Sequence, residues 1–502
     1  MFLSEMLNGV RVSKMFSMVY GRTLVIQDIQ ITGVQYDSRK VRTGNLFVAI
    51  RGGQTDGHLF IDNAVENGAV AVVLEDDAIR SDYYFLHAGV VKIVVPDSRR
   101  ALALLAANFY GRPSAKLRLV GVTGTNGKTT TTHLIASILE AGGESVGLIG
   151  TIDYVVGRER FPATHTTPES LEMNQLLARM VQEGCTAAVM EVSSHALAQS
   201  RVAGLDFRVG VFTNLTQDHL DFHGTMESYF QAKKILFDTL GREGHAVVNR
   251  DDPRAEAIVA DCAAPVIRYG EGAGADVRPR ETELAVGGSR MLVEAHGKTF
   301  EIRSPLTGRF NVSNILAASA AGLALGCPPE QIVRGIGGLK SVRGRFEQIP
   351  STAGWTAIVD YAHTPDALEN CLRTVAEIRP PGHSGRIITV FGCGGDRDRG
   401  KRPIMGRIAS SMSDVVIVTS DNPRGEDPRA IIDQVVAGVV PGAELHTVVD
   451  RREGIRLALS LARAGDVVLI AGKGHETSQV IGTVRNHFDD REEVEQFLSG
   501  VS

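Results

Sequence analysis

The sequence predicts an α/β chain of three domains, and three observations carry that reading. Its 502 residues exceed the roughly 250–300 that one hydrophobic core organises. Short apolar runs of strand length alternate with helical stretches, the pattern of mainly parallel sheets covered on both faces. The helix stop Gly111-Arg112-Pro113 and the Gly- and basic-rich stretch GIGGLKSVRGR (335–345) interrupt the alternation and read as linkers. Domains are therefore expected at 1–113, 114–340 and 341–502.

Composition narrows the class. Apolar residues at 43% and charged residues at 22% are globular values, which excludes disordered and fibrous classes for the bulk of the chain. A net charge of −5 advertises neither nucleic acid nor an anionic membrane, so an anionic substrate needs a local cluster of cations. The 54 glycines exceed the usual ~7% and point to tight turns and close backbone approaches. Five scattered cysteines, Cys185, Cys262, Cys327, Cys371 and Cys393, show no CxxC spacing; a reducing compartment fits them better than a disulfide framework. The N-terminal stretch lacks a signal-peptide pattern, and the longest apolar runs (101–107, 467–471) fall far short of the ~20 residues that span a bilayer. A cytoplasmic protein without a membrane span is expected, and a monomer.

In the first domain LFVAI (46–50), AVAVVL (69–74) and VVKIVV (90–95) read as strands, followed by a helix over 99–110. The second opens with a buried strand at 117–122, a loop at 124–127 and a helix over 128–141 closed by Gly142-Gly143. Strand-like runs follow at 187–192, 209–214 and 246–249. Past the Gly-rich 270–274, short strands up to residue 302 read as an antiparallel edge or an insertion, before a helix over 311–326. TAIVDYA, RIITVFGC, DVVIVTS and DVVLIAGKG then supply four strands of a Rossmann-like sheet.

The segment Gly124-Thr125-Asn126-Gly127-Lys128-Thr129-Thr130 carries the most chemistry. Its glycines let backbone N–H groups turn toward a polyphosphate, Lys128 adds a point charge, Thr129 a hydroxyl for Mg²⁺, and the helix N-terminus its dipole. The usual pattern places glycine where this chain has Val122, so the loop is a variant with a tighter register, and the middle domain is expected to be P-loop ATPase-like. A bare glycine turn is the alternative, outweighed by the order strand, loop, Lys-Thr, helix. Such a loop needs a carboxylate partner for magnesium, and Glu191, ending AAVMEVSSH, is the candidate, with an ordinary solvated strand end as the alternative. His219, in TNLTQDHLD, reads equally as a second metal ligand or as a structural histidine. FGCGGD would need glycine at 397 to bind NAD and has arginine, which excludes that cofactor.

Taken in order, GTNGKTT, MEVSSHALAQSR, NLTQDHLDFHG and YFQAKK resemble the Mur ligase family, the ATP-dependent amide-forming enzymes of peptidoglycan synthesis. The likeness extends through YDSRKVRTGNLFVAIRGGQTDGH, GRFNVSN, DYAHTPDAL, FGCGGDRDRGKRP, SDNPRGEDPR and AGKGHE, nearly the whole chain. It implies that a carboxylate attacks the γ-phosphate of ATP and that an amine then displaces phosphate from the acyl phosphate, with Lys128 and two magnesium ions neutralising charge. The acceptor implied is UDP-N-acetylmuramoyl-L-alanyl-D-glutamate, and the first domain would bind its UDP.

Thr129 and Glu191 then match ligands of one magnesium, His219 and Lys233 those of another. Lys233 falls where the family carries a carbamylated lysine; a solvated helix lysine is the bland reading, and Lys234 the alternative if the register shifts by one. Asn311 and Asn314 match adenine-side contacts, while Arg345 and Asp360 match phosphate and ribose contacts from the last domain. Tyr36, Ser38, Gly53, Gln54 and Thr55 fall at UDP contacts, although Gly53 replaces a histidine of the relative compared. Thr166, Thr167, Ser193, Gln199 and Arg201 match the residues holding the sugar-peptide. Asp421-Asn422-Pro423-Arg424 is the motif associated with adding meso-2,6-diaminopimelate, whose extra carboxylate a guanidinium grips bidentately. Arg397, Gly472 and Glu476 complete that site. A ligase for lysine, a folate-type polyglutamate ligase and a nucleotide-switch ATPase are the competing readings; the ligases do not predict Arg397 beside DNPR, and the switch leaves both that motif and AGKGHE idle.

Overall fold

The computed structural model describes all residues except 20, 21, 24, 26–28, 54, 286, 379–384, 501 and 502. Three large sheets follow one another along the chain. The first sets Lys14–Phe16, Val91–Val94, Ala69–Leu74, Asn45–Val48 and Gly33–Gln35 side by side. All its pairs are parallel except the outer one with Lys14–Phe16. The three central strands are buried on both faces, which is why they read as unbroken apolar runs rather than alternating ones.

The second sheet has eleven strands. Its parallel centre runs Val146–Ile149, Ala187–Glu191, Arg118–Thr123, Phe207–Phe212, His245–Asn249 and Val266–Tyr269. The expected antiparallel edge is present as the meander Val277–Ala285, Gly288–Ala295 and Lys298–Ser304. A hairpin at the other edge, Asp153–Val156 with Glu159–Pro162, went unforeseen, because its charged, exposed outer strand carries little apolar pattern. Helix Lys128–Ala141 packs against Arg309–Ala324 and Pro329–Gly338 over one face. Arg309–Ala324 is buried nearly all round, as its run of alanines allows.

The third sheet orders Glu347–Pro350, Thr356–Asp360, Val467–Ala471, Ile387–Phe391, Val415–Val418 and Glu444–Thr447, parallel after its first pair. The four expected apolar runs form its interior. The second linker begins later than its composition suggests, because helix Pro329–Gly338 continues into it. Gly335 serves close helix contact there: a Cβ would stand 2.4 Å from the Ile138 Cα. Among the described residues no helix is long and apolar enough to cross a membrane.

Candidate active site

The central strand Arg118–Thr123 delivers the glycine-rich loop 124–127 at its C-terminal end, where open parallel sheets place ligands. Two glycines there are sterically required. Gly124 has φ +150° and a Cβ would fall 1.8 Å from Thr213 Oγ1; Gly127 has φ +86° and a Cβ would fall 2.4 Å from Asn314 Oδ1. The neighbouring strand ends at Phe212, two residues before its expected end, because Thr213 and Asn214 turn onto the loop. Thr213 Oγ1 donates to the Asn126 carbonyl (2.6 Å), as does Asn214 Nδ2 (3.1 Å), and Asn126 N–H donates to Asn214 Oδ1 (2.9 Å). Thr125 is buried, its hydroxyl donating to the Thr216 carbonyl at 3.1 Å; Thr130 is buried in the first turn of the following helix.

Lys128 Nζ donates to the carbonyls of Gly124 (2.9 Å) and Thr125 (2.8 Å). Burial holds its pKa down, with Glu191 acting in the opposite sense. Glu191 is buried and accepts from the Thr151 backbone at 2.8 Å and from the Thr151 hydroxyl at 3.0 Å. Lys233 is buried on helix Met226–Asp238, donates to the Gly124 carbonyl at 2.8 Å and lies 4.4 Å from the Tyr229 ring. Burial, then repulsion from Lys128, drives its pKa well below the ordinary lysine value. Lys234 turns away to Asp238 and Asp261, so the lysine facing the loop is Lys233. His219 adopts φ +54°, with its Nε2 3.3 Å from Asp218 Oδ2 and its ring packed edge-on against His195. Burial lowers its pKa and favours the neutral imidazole.

The third sheet closes this site from the other side. Arg345 Nη2 donates to Thr129 Oγ1 at 3.1 Å, and its guanidinium lies 4.6 Å from the Tyr361 ring. Asp360 is buried and accepts from the Phe346 N–H at 2.7 Å; burial pushes its carboxyl up while Arg345 opposes the shift. Asn126 Nδ2 donates to Asp366 Oδ2 at 2.9 Å across the same gap. Between them is a cavity of about 290 Å³ lined by the loop, Glu191, His219, Lys233, Arg345 and Asp360. Asn314 lines it too, whereas Asn311, which accepts from Asn314 at 3.1 Å, borders a smaller neighbouring cavity.

Of the residues expected on the sugar-peptide side, Thr166 and Ser193 line the cavity. Thr166 and Thr151 hydroxyls pair at 3.1 Å, and Ser193 caps helix Ser194–Ala198. Thr167 donates to the Glu191 carbonyl (2.8 Å), and Arg201 donates to the Thr167 carbonyl (2.9 Å) and to Gln199 Oε1 (2.7 Å). Tyr36 reaches this cluster from the first sheet by donating to Glu172 Oε1 at 3.0 Å. The remaining first-domain residues stand apart from the cavity. Ser38 is buried at the start of a short helical turn, Gly53 and Thr55 are exposed, and Gln54 lies outside the described residues.

The DNPR loop follows Val415–Val418. Arg424, at φ +50°, donates to the Gly395 carbonyl at 2.8 Å, and the exposed Arg397 donates to the Asp396 carbonyl at 3.0 Å. The two arginines therefore flank one glycine turn. Asn422 donates to Glu476 Oε2 at 2.9 Å, Asp421 is buried, and the Pro423 carbonyl accepts from Glu426 N–H at 3.0 Å. Gly472, in the loop after Val467–Ala471, donates its N–H to the Asp360 carbonyl at 3.0 Å. Sequence reasoning missed Thr151, Asp366 and Lys473. Lys473 stood inside a quoted motif, AGKGHE, but a lone lysine reads as solvated until its burial is seen.

Two sheets thus meet strand end to strand end over one phosphate-cradle loop, the layout of a nucleotide-using enzyme assembled from separate domains. Three family models match in the same order: the Mur ligase family catalytic domain over residues 30–110, the Mur ligase middle domain over 122–322 and the Mur ligase glutamate ligase domain over 344–474. The chain is 50% identical over 490 residues to the UDP-N-acetylmuramoyl-L-alanyl-D-glutamate–2,6-diaminopimelate ligase of Geobacter metallireducens, covering 93% of this chain and 94% of that one. The ligase of the same name from Geobacillus thermodenitrificans is 49% identical over 469 residues, with 92% and 93% covered. A solved structure of a ligase of that name matches with a TM-score of 0.71 at 33% identity, covering 100% of this chain and 99% of that one. The chain belongs to the Mur ligase family.

Proposed function

We propose that the chain joins meso-2,6-diaminopimelate to the γ-carboxyl of the D-glutamate in UDP-N-acetylmuramoyl-L-alanyl-D-glutamate, using ATP, in the cytoplasm. The observation that carries this reading is the shared cavity, in which the loop, Glu191 and Lys233 face Arg345 and Asp360, joined through Gly472 to a loop flanked by two arginines. In the reaction the γ-carboxylate oxygen bonds to the terminal phosphorus of ATP as the bridging P–O bond breaks and ADP leaves. The amine then attacks the acyl carbon, loses a proton and expels phosphate. Lys128 exchanges loop carbonyls for phosphate oxygens, and the loop N–H groups and helix N-terminus hold the rest of the chain of phosphates. Arg345 adds a second cation at the far side, so that both domains must meet before charge is fully neutralised.

Magnesium fits the residues present. Among the described residues no three His, Cys, Asp or Glu side chains converge on a ready-made cage, but magnesium is usually held by one or two carboxylates together with substrate phosphates. Glu191 and the Thr129 hydroxyl would hold one ion, His219 and a carbamate on Lys233 a second; bound, the ions would neutralise crowded phosphate and carboxylate oxygens. Carbamylation suits Lys233, because burial and Lys128 lower its pKa and so favour the unprotonated amine, whose lone pair attacks carbon dioxide. First-domain residues Tyr36, Ser38, Gly53, Gln54 and Thr55 would bind UDP, and Thr166, Thr167, Ser193, Gln199 and Arg201 the sugar-peptide. The same reading sets the domains at 1–113, 114–340 and 341–502. ADP release is expected only when the UDP-muramoyl dipeptide and diaminopimelate are both supplied. Strong turnover with ATP alone refutes the ligase reading, and equal turnover with lysine refutes the choice of amine.

A further inference from the structure

Lys473, in the loop after Val467–Ala471, is wholly buried. Its Nζ donates to Glu476 Oε2 at 3.0 Å and Asn422 Oδ1 at 3.2 Å, and lies 3.8 Å from Asp421 Oδ1. Asn422 Oδ1 also accepts from the Val480 N–H at 2.9 Å, which turns the amide so that Nδ2 donates to the same Glu476 oxygen at 2.9 Å. Glu476 Oε2 is therefore occupied twice, while its Oε1 has no hydrogen-bond partner among the described residues. The carboxylates of Asp421 and Glu476 both face Lys473 here, and the buried Arg451 nearby is neutralised by Asp490. Arg424 and Arg397 stand on the adjoining glycine turn, held by the carbonyls of Gly395 and Asp396.

We infer that Lys473 is a specificity-determining residue for the incoming amine, an inference that rests on the ligase reading above. The far end of diaminopimelate is a zwitterion, whose carboxylate Lys473 and the neighbouring arginines attract. The far end of lysine is a bare ammonium, and Lys473 both repels it and takes one oxygen of the carboxylate that would receive it. Arginines select the correct amine by attraction; Lys473 rejects the wrong one by repulsion, the second half of any discrimination.

The test compares kcat/KM for diaminopimelate and for lysine in the wild-type enzyme, Lys473→Gln and Lys473→Met, with KM for ATP as control. Glutamine keeps a donor toward Asn422 and Glu476 and removes only the charge. The preference for diaminopimelate is expected to fall about tenfold in both variants, with KM for lysine falling and KM for ATP unchanged. Equal loss for both amines, leaving the preference intact, overturns the inference and leaves Lys473 a structural residue. A wild-type enzyme that ignores diaminopimelate overturns the ligase reading instead. Should neither variant fold, Lys473→Gln combined with Glu476→Gln removes both charges at once and is compared with Glu476→Gln alone. The double variant should use lysine about tenfold better; equal use overturns the inference.

Discussion

Replacing Lys233 with methionine separates the electrostatics of the buried amine from its packing. Burial and Lys128 hold the folded-state pKa well below the ordinary 10.5, so below that value the unfolded chain binds a proton that the folded chain refuses. Stability of the wild type therefore falls as pH falls from 10.5 toward the folded pKa, by about 1.4 kcal/mol for each pH unit. Methionine carries no proton in either state, so this slope disappears, while loss of the hydrogen bond to the Gly124 carbonyl costs about 1 kcal/mol at every pH. Urea denaturation in buffers freed of carbon dioxide, at about pH 9.5 and about pH 8.5, should show the variant gaining on the wild type between the two, by up to about 1.4 kcal/mol. Bicarbonate should stabilise the wild type alone, since a carbamate forms only where there is an amine. Ligase activity should be lost in the variant and partly restored by small carboxylic acids. Parallel pH dependences for the two proteins would refute the reasoning, because they would mean that the amine is charged in the fold.

Arg424→Ala should raise KM for diaminopimelate by about 2–4 kcal/mol in free-energy terms and leave KM for ATP unchanged, as steady-state kinetics with each substrate varied would show. Gly127→Ala forces a Cβ to 2.4 Å from Asn314 Oδ1 at φ +86°; thermal melting should report a loss of about 1–3 kcal/mol, and calorimetry a loss of ATP binding. Asp490→Ala strands the buried Arg451, which pairs with both oxygens of Asp490 at 2.7 Å, and should cost about 3–5 kcal/mol in urea denaturation. Arg451→Met combined with Asp490→Leu should recover most of that loss.

The parallel centres of the three sheets were legible because their strands are buried on both faces, so composition alone marks them. The position of the loop between a buried strand and a helix was legible because glycine, lysine and threonine at that spacing leave few backbone solutions. The antiparallel hairpin at 153–162 was not, since its exposed strand has no period to read. Gly335 misled because glycine marks both flexible linkers and tight helix contacts, and only the nearness of Ile138 tells them apart. Lys233 and Lys234 could not be separated by spacing; adjacent helical residues point about a quarter turn apart, and the fold decides which one meets the loop. The same holds for Lys473 and Asp366, whose partners lie 51 and 240 residues away in sequence.

Those long-range partners explain how one site serves two consecutive reactions. Thr129 and Asn126, in the loop that grips phosphate, are held by Arg345 and Asp366 from the third sheet. On that sheet Asp360 ends one strand and Ala471 ends its neighbour, and the Gly472 N–H joins the two ends at the Asp360 carbonyl. A shift of the third sheet against the loop therefore moves Arg345, proposed for phosphate, and the loop after Ala471, proposed for the amine, together. On the proposed reaction, phosphoryl transfer and amine attack would be coupled by rigid strand ends, the acyl phosphate forming where the nucleophile already waits.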